Sequence, residues 1–353
     1  MHPYFQFPER LIQIIEELCL YETPYKTAED FVKNFSSEIK TLSDYFNQKP
    51  SSNPISSTLS YKNFPIAYIA YFLPTNFFKV ASLLLDFRLS YPAHPLFSPE
   101  GDTASRRSIR VLDLGSGPGT NGLGLLDFCS RFPEPFFENS IIEYVAVDHD
   151  SRHLHYFSRL YSSYLKILEP ALSEKRIAFK IHTIPKAVLA KLPIDNKGFD
   201  IIILGNLLNE MTQSGHSLEF LAEWIKRLMN LLTSNGVLFI IEPALRKTSR
   251  NLLALRDLIA SQKTGSIIAP CLHQHPCPIL SPQGSENDWC HQEKEWEAPA
   301  WIQKIDRMIG NRKDSLKYSY LILSPLGKGP VHPPFQWRVV SELMESKGKK
   351  EVF

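Results

Sequence analysis

The sequence has 353 residues, more than one average domain requires, and its hydrophobic fraction of 43% and charged fraction of 22% are those of a soluble globular protein. These values exclude a wholly disordered chain, and five cysteines in a chain of this length are too few for a secreted disulfide scaffold. Because the formal net charge is only +2, any contact with nucleic acid must come from a local basic surface.

The N-terminal part is predicted to be helical. Residues 8–48 carry apolar side chains at helical spacing, and residues 48–57 form a loop rich in Pro, Ser and Asn. The first ten residues show neither the basic start and apolar core of a signal peptide nor the Arg/Ser-rich character of a transit peptide. The sequence therefore predicts a cytoplasmic protein.

The most apolar stretch runs from Ile66 to Phe87. It contains Pro74, Lys79 and Asp86, and charged residues are unfavourable inside a bilayer. We therefore predict buried helices here and no contact with a membrane.

After a stretch rich in Pro, Ser and Gly at 90–108, short apolar runs alternate with helix-length segments. This alternation is typical of an α/β protein with a doubly wound, mostly parallel sheet. It divides the chain into a helical region (1–100), a Rossmann-like domain (101–263), a Cys- and His-rich insertion (264–297) and a C-terminal part with a basic tail (298–353). The predicted strands are Ile109–Leu114, Tyr144–Val147, Ile177–Ile181, Phe199–Leu204, Val237–Ile241, Tyr318–Leu323 and, with a weaker pattern, Trp337–Val340.

The first strand runs into a glycine-rich turn. Gly115, Gly117 and Gly119 let the backbone turn sharply and approach a ligand, and the helix that follows offers unpaired N–H groups. The spacing G-x-G-x-G differs from the G-x-G-x-x-G of dinucleotide sites. Asp113, two residues before the first glycine, would repel a phosphate but suits the cationic end of S-adenosylmethionine. The alternative interpretation is an α/β fold whose Gly-rich turn binds no nucleotide.

Two polar side chains accompany this turn. Asp148 ends the second strand, where a ribose diol would lie, and Asn206 follows the fourth strand at the same crevice. The pattern over residues 109–245 resembles the class I S-adenosylmethionine-dependent methyltransferases. The resemblance implies S-adenosylmethionine as cofactor, held by Asp113, Gly115, Gly117, Gly119, Asp148 and Asn206.

The sequence shows no convincing catalytic residue. The segment after the fourth strand, Asn206 to Met211, lacks the Asn/Asp-Pro-Pro-aromatic turn of amino-group methyltransferases, and no cysteine lies where cytosine C5 methyltransferases carry their nucleophile. Glu210 is either a general base or a helix-capping or surface residue, and Glu242 either lines a pocket or ends the fifth strand.

Three cysteines, Cys271, Cys277 and Cys290, lie within twenty residues among Pro and His. Thiolates at this spacing suit a soft metal, but the spacing matches neither a zinc ribbon nor a ferredoxin. Buried cysteines without a metal are the alternative, and this is what we predict for Cys19 and Cys129.

The segments Ala269–Pro278 and Asp288–His291, inserted after the strand Gly236–Pro243, carry a more specific resemblance. They resemble the methyltransferase-like small-ribosomal-subunit assembly factors, over about residues 65–345. The resemblance implies a [4Fe–4S] cluster with Cys271, Cys277 and Cys290 as three of its four cysteine ligands, and zinc is the alternative metal.

It also implies association with the ribosomal RNA of the small subunit, and loss of methyl transfer. The family's fourth cysteine, near the C-terminus, is absent from this chain. Either the chain stops short of it, or the cluster is labile, or a histidine completes the site; the candidates are His273, His275 and His291.

We therefore expect an assembly factor of the small ribosomal subunit that binds S-adenosylmethionine without transferring its methyl group. Residues 301–353 hold ten Lys/Arg against five Asp/Glu, which is compatible with phosphate contact or with an ordinary solvated surface. The alternatives are an active ribosomal RNA methyltransferase and a small-molecule methyltransferase with a structural zinc module. The candidate phosphate contacts are Lys304, Arg307, Arg312, Lys313 and Lys317.

Overall fold

The computed structural model describes residues 5–46, 64–97, 106–132, 137–195, 197–325 and 327, and the backbone of two short strands beyond them. The helices are α1 (Glu9–Glu22), α2 (Ala28–Phe46), α3 (Phe64–Ala67), a π-helical turn (Tyr68–Phe72), α4 (Leu73–Asn76), α5 (Lys79–Ser90), α6 (Thr120–Arg131), α7 (Ser151–Glu174), α8 (Leu207–Gln213), α9 (Leu218–Met229), α10 (Arg246–Ser261), a 3₁₀ turn (Pro278–Leu280) and α11 (Ala300–Ile309).

The strands are β1 (Arg107–Leu114), β2 (Ser140–Asp148), β3 (Ala178–Pro185), β4 (Phe199–Gly205), β5 (Leu232–Pro243), β6 (Ser266–Ala269), β7 (Gln292–Glu295), β8 (Ser315–Ser324), β9 (Met344–Ser346) and β10 (Lys349–Glu351). Of the predicted strands, Trp337–Val340 lies outside the described residues.

The main sheet has the order β3-β2-β1-β4-β5-β8-β6, with β7 also paired to β8. Strands β1 to β5 are parallel, and β8 runs antiparallel to β5, β6 and β7. This order confirms the predicted doubly wound, mostly parallel sheet. The carboxyl ends of β1 to β5 all lie at one edge, where ligands bind in such folds.

Both faces of the sheet are covered. Along β1, Val111 belongs to one hydrophobic cluster and Leu112 to the other, and both are fully buried. The first cluster includes the N-terminal helices, since Phe31 of α2 stacks on Trp301 of α11 with ring centroids 5.2 Å apart. The N-terminal helices therefore share a core with the sheet.

The apolar segment Phe64–Ser90 is long and apolar enough to cross a membrane, with a mean hydropathy of 1.3 over its most apolar window. In the structure, 78% of that window is buried inside the protein. The apolar side chains of this segment are those of a core helix.

The predicted insertion begins and ends as part of the sheet. Ala269 of β6 pairs with Ile322, and Gln292 of β7 pairs with Tyr318, so both short strands lie on the outer edge of β8. Four-residue strands have too little periodicity to be recognised alone, and here the partner strand fixes them.

Candidate functional site

The glycine-rich turn between β1 and α6 has the left-handed backbone that its glycines permit. Gly117 has φ +54°, and no atom lies within 4 Å of where its Cβ would be, so the turn is open to a ligand there. Gly119 has φ +84°, and a Cβ would lie 1.8 Å from the ring of Phe157 on α7. The third glycine therefore serves close helix packing.

Asp148, at the end of β2, is fixed beside this turn. Its Oδ2 accepts a hydrogen bond from the Gly117 N–H (2.8 Å) and its Oδ1 one from the Asp150 N–H (2.8 Å). Burial alone would raise the pKa of this carboxyl, but these two N–H donors and nearby His153 hold the pKa below its ordinary value. Asp148 is therefore an anion at neutral pH, positioned to accept hydrogen bonds from a ribose diol.

Asn206 follows β4 in a left-handed conformation, with φ +58°. Its backbone N–H donates to the Ile241 carbonyl (2.7 Å) and fixes the residue between β4 and β5. Its side-chain Oδ1 is buried without a hydrogen-bond partner among the described residues. An unpaired buried acceptor is costly, so this atom suits a donor group of a ligand.

Asp113 is placed differently from the other predicted ligand-binding residues. Its fully buried carboxylate accepts hydrogen bonds from Asn121 Nδ2 (3.1 Å) and Tyr144 Oη (2.6 Å). Burial raises the pKa of Asp113 to about 6. This residue fixes the start of α6 to β1 and β2, and neither it nor Gly119 lines the cavity described next.

A cavity of about 1090 Å³ lies along the carboxyl edge of the sheet. Its lining includes four of the predicted residues, Gly115, Gly117, Asp148 and Asn206. It extends from the segment after β3 to the start of β8, and is thus longer than the crevice between β1 and β2. The residues that line its two ends are Ala187, Val188 and Leu189 after β3, and Lys313, Ser315, Leu316 and Lys317 before and in β8.

One wall of the cavity is a face of the segment Phe64–Ser90. Residues on this wall recur every three or four positions, as one face of a helix requires. They change from aromatic at the β2 end to cationic at the β8 end: Phe64, Tyr68, Phe72, Thr75, Asn76 and Lys79. Sequence analysis missed this wall, because Lys79 was used only as evidence against a membrane span; its helical spacing from Phe64 was the available signal.

The two glutamates near β4 and β5 have different roles. Glu242 is 1% exposed and accepts hydrogen bonds from the N–H groups of Leu208 (2.8 Å) and Asn209 (3.2 Å), so it caps the start of α8. Burial raises its pKa to about 8. Glu210 lines the cavity and is open to solvent on its other side; partial desolvation, and then the charge of Asp148, raise its pKa to about 7. Of the two glutamates considered from the sequence, Glu210 is the one that faces the cavity, and Glu242 caps α8.

The three cysteines of the insertion lie on two structural elements. Cys271 follows β6 and Cys290 precedes β7, so both lie beside the middle of β8, where the Ser319 hydroxyl donates to the Cys290 carbonyl (2.8 Å). Cys277 is buried, and its N–H donates to both carboxylate oxygens of Asp257 on α10 (3.0 Å each). Among the described residues, no three Cys, His, Asp or Glu side chains are grouped to hold a metal ion. The present geometry therefore does not fit a cluster held by all three.

The candidate phosphate contacts are divided between two places. Lys304 and Arg307 are exposed on α11, and Arg312 forms an ion pair with Asp314 (2.8 Å). Lys313 and Lys317 line the cavity, and Lys317 pairs with Glu293 (3.0 Å). The exposed cations on α11 are accessible to a partner surface, whereas Lys313 faces the cavity.

Comparison with known proteins gives one family match. The family described as mitochondrial small ribosomal subunit Rsm22 matches residues 65–352. No curated protein matches the chain.

Solved structures give more distant matches. A putative class I S-adenosylmethionine-dependent methyltransferase from Listeria monocytogenes is 13% identical, with 93% of this chain and 90% of that chain covered and a TM-score of 0.39. The human methyltransferase 10 domain containing protein is 12% identical, with 83% and 96% covered and a TM-score of 0.35. The strand order itself is that of a class I methyltransferase-like sheet.

Proposed function

Because the chain belongs to the Rsm22 family of the mitochondrial small ribosomal subunit, we propose that it is an assembly factor of the small ribosomal subunit whose methyltransferase-like domain binds S-adenosylmethionine. The observation that supports binding of this cofactor is the composition of the cavity lining. It includes Asp148, the open backbone of Gly117 and Asn206, whose Oδ1 is unpaired. An anionic carboxylate, a turn with no side chain at Gly117 and a buried unpaired acceptor together fit a cationic nucleoside.

Each part of the cofactor has residues of this chain to hold it. Asp148 would accept hydrogen bonds from the ribose hydroxyls, and Ala187 to Leu189 would cover the base. The backbone at Gly115 and Gly117 would lie along the methionyl part. When bound, S-adenosylmethionine supplies an electrophilic methyl group.

We propose that this chain does not transfer that methyl group. In support, α8 starts at Leu207, directly after Asn206, so the segment that carries the acceptor-binding turn in amino-group methyltransferases is helical here. Glu242 is occupied in capping α8 and is not directed at a substrate.

One observation favours the alternative, an active RNA methyltransferase. Glu210 faces the cavity with a pKa of about 7, near the value at which a general base works best at neutral pH. Incubation with methyl-labelled donor and small-subunit RNA separates the two functions. Label in the RNA that disappears in Glu210→Gln would establish transfer; no label would support the assembly role.

Association with the subunit is tested by co-sedimentation with purified small ribosomal subunits at several salt concentrations. We expect binding that weakens as salt rises, because basic side chains that contact phosphate displace counterions. The double variant Lys304→Glu/Arg307→Glu should weaken it, since both residues are exposed on α11. Lys226→Glu, an exposed lysine on α9, is the control. Salt-independent or absent binding would contradict the proposal.

The iron–sulfur cluster stays a prediction from the family resemblance. The convergence of Cys271 and Cys290 beside β8 supports it, and the position of Cys277 on the α10 side does not.

A further inference from the structure

The cavity is longer than the nucleoside site requires. From Asp148 at the end of β2 to β8 there are four strand spacings in the sheet, or ~19 Å. The helical wall runs fifteen residue steps from Phe64 to Lys79, or ~22 Å at a rise of 1.5 Å per step, and so has a similar length. The half of the cavity under β5 and β8 is lined by other residues than the nucleoside half, and these include the lysines Lys79 and Lys313.

Lys79 is the central side chain of this second half. It lies on α5, lines the cavity and is only 7% exposed. Its Nζ lies 5.8 Å from the ring centroid of Tyr318, and it forms no ion pair or hydrogen bond with any described residue. Burial, and then the charge of Lys313, lower its pKa to about 7. The nearby carboxyl of Glu242 is already occupied by α8.

Lys313 faces the same space from the other side. Its backbone is held at both ends of the residue, because its N–H donates to Asp306 (2.8 Å) and its carbonyl accepts from Trp296 Nε1 (2.6 Å). Its side chain lines the cavity, and burial lowers its pKa. No described carboxylate forms an ion pair with it.

Lys79 and Lys313 line the same cavity, and the charge of Lys313 disfavours a charged Lys79. Glu242 and Asp306 offset this only in part and form no ion pair with either lysine, so two ammonium groups here are unfavourable without a bound anion. A bound anion would compensate both.

The acidic residues that line the cavity are Asp148, Asp150 and Glu210, and Asp150 is paired with Arg152. Asp148 raises the pKa of Glu210, so these carboxyl groups lie near the β2 end, whereas Lys79 and Lys313 line the β8 end.

We propose that the half of the cavity under Lys79 and Lys313 is a second binding site, for a phosphate group carried by a nucleotide that binds beside the methyl donor. The inference depends on the proposed function, since it assigns the donor to the other half. The phosphate belongs either to a free mononucleotide or to RNA. A dianionic or diester phosphate matches two ammonium groups better than a neutral acceptor does.

The experiment is calorimetry on the full chain saturated with S-adenosylhomocysteine, with cytidine and cytidine 5′-monophosphate as probes. We expect the nucleotide to bind about tenfold or more tightly than the nucleoside, and Lys79→Met to remove that difference. Lys226→Met, exposed on α9, is the matched control and should keep it. If Lys79→Met does not fold, judged by thermal unfolding, Lys313→Met gives the same test.

A short RNA with a 5′-phosphate and one without distinguish the two sources. Lys79-dependent binding of RNA alone assigns the phosphate to RNA, and Lys79-dependent binding of the mononucleotide assigns it to a free nucleotide. The second site would be overturned by equal affinity for cytidine and its 5′-monophosphate together with RNA binding that neither lysine variant weakens. A preference for the monophosphate that both lysine variants keep would overturn it as well. If the wild-type chain does not bind S-adenosylhomocysteine at all, the proposed function is overturned instead.

Discussion

At the scale of single residues, the glycines of the turn have two different roles, ligand access and helix packing, which the sequence pattern does not distinguish. Gly117 faces an open cavity, whereas Gly119 makes room for Phe157. The spacing of the glycines was enough to predict the turn, but which glycine faces the ligand depends on α7, which is remote in the sequence. The same holds for Asp113: its position in the motif predicted a ligand contact, and its partners Asn121 and Tyr144 give it a structural role.

Gly119→Ala tests this division. The new Cβ would meet both a left-handed backbone and the Phe157 ring, so we expect a loss of unfolding free energy well above the ~1–2 kcal/mol of the backbone alone. Gly215→Ala is the control, because Gly215 also has positive φ (+93°) but no atom within 4 Å of its Cβ position. Chemical denaturation measures both; equal losses would contradict the packing role of Gly119.

Glu242 gives a pH prediction. Burial raises its pKa in the folded state from 4.5 to about 8, so the folded protein binds the proton more tightly than the unfolded chain. The stability that this proton confers is fully present below the unfolded value and decreases as pH rises towards about 8. Glu242→Gln should therefore make the unfolding free energy less dependent on pH between about pH 5 and pH 6.5.

Glu223→Gln, on the exposed face of α9, is the control and should leave the pH dependence unchanged. A pH dependence in Glu242→Gln that equals that of the wild type would show that this carboxyl does not stay protonated in the folded protein.

At the scale of elements, β1, β2, β4, β5 and β8 were predictable, because buried strands are continuous runs of β-branched and aliphatic residues. Strand β3 lies at the edge of the sheet with no buried residue, and only its first apolar positions, in the predicted run Ile177–Ile181, indicated it. Strands β6 and β7 were not predictable, since each has four residues and depends on β8 for its hydrogen bonds. The helical wall over the cavity was predicted as buried helix. Its role in the site could not be predicted, because that role depends on the packing of the helix against the carboxyl edge of the sheet.

The N-terminal helices make an element-scale prediction. Phe31 of α2 is fully buried between Phe35 and Trp301, with ring centroids 4.7 Å and 5.2 Å away. We expect Phe31→Ala to destabilise the whole chain by about 3–5 kcal/mol in a single unfolding transition. Tyr21→Ala, at a side chain 78% exposed, should have a much smaller effect. A separate early transition for the N-terminal helices would contradict a shared core.

At the scale of the whole molecule, the insertion is the part for which the family resemblance implies a metal cluster that the arrangement of its cysteines does not fit. Anaerobically purified protein should be brown and contain iron and acid-labile sulfide if the resemblance extends to the cluster. Cys271→Ser and Cys290→Ser should then lose iron, whereas Cys19→Ala and Cys129→Ala, at buried helical positions, should retain it. A colourless protein containing zinc, or no metal, would contradict the cluster.

The most direct measurement of the central claim is calorimetric binding of S-adenosylmethionine and S-adenosylhomocysteine to the full chain. We expect one site for each, with affinity reduced about tenfold or more in Asp148→Asn, which removes the charge that holds the ribose. Asp30→Asn, exposed at the start of α2, should bind as the wild type does. A well-folded wild-type protein that takes up neither nucleoside would contradict the account.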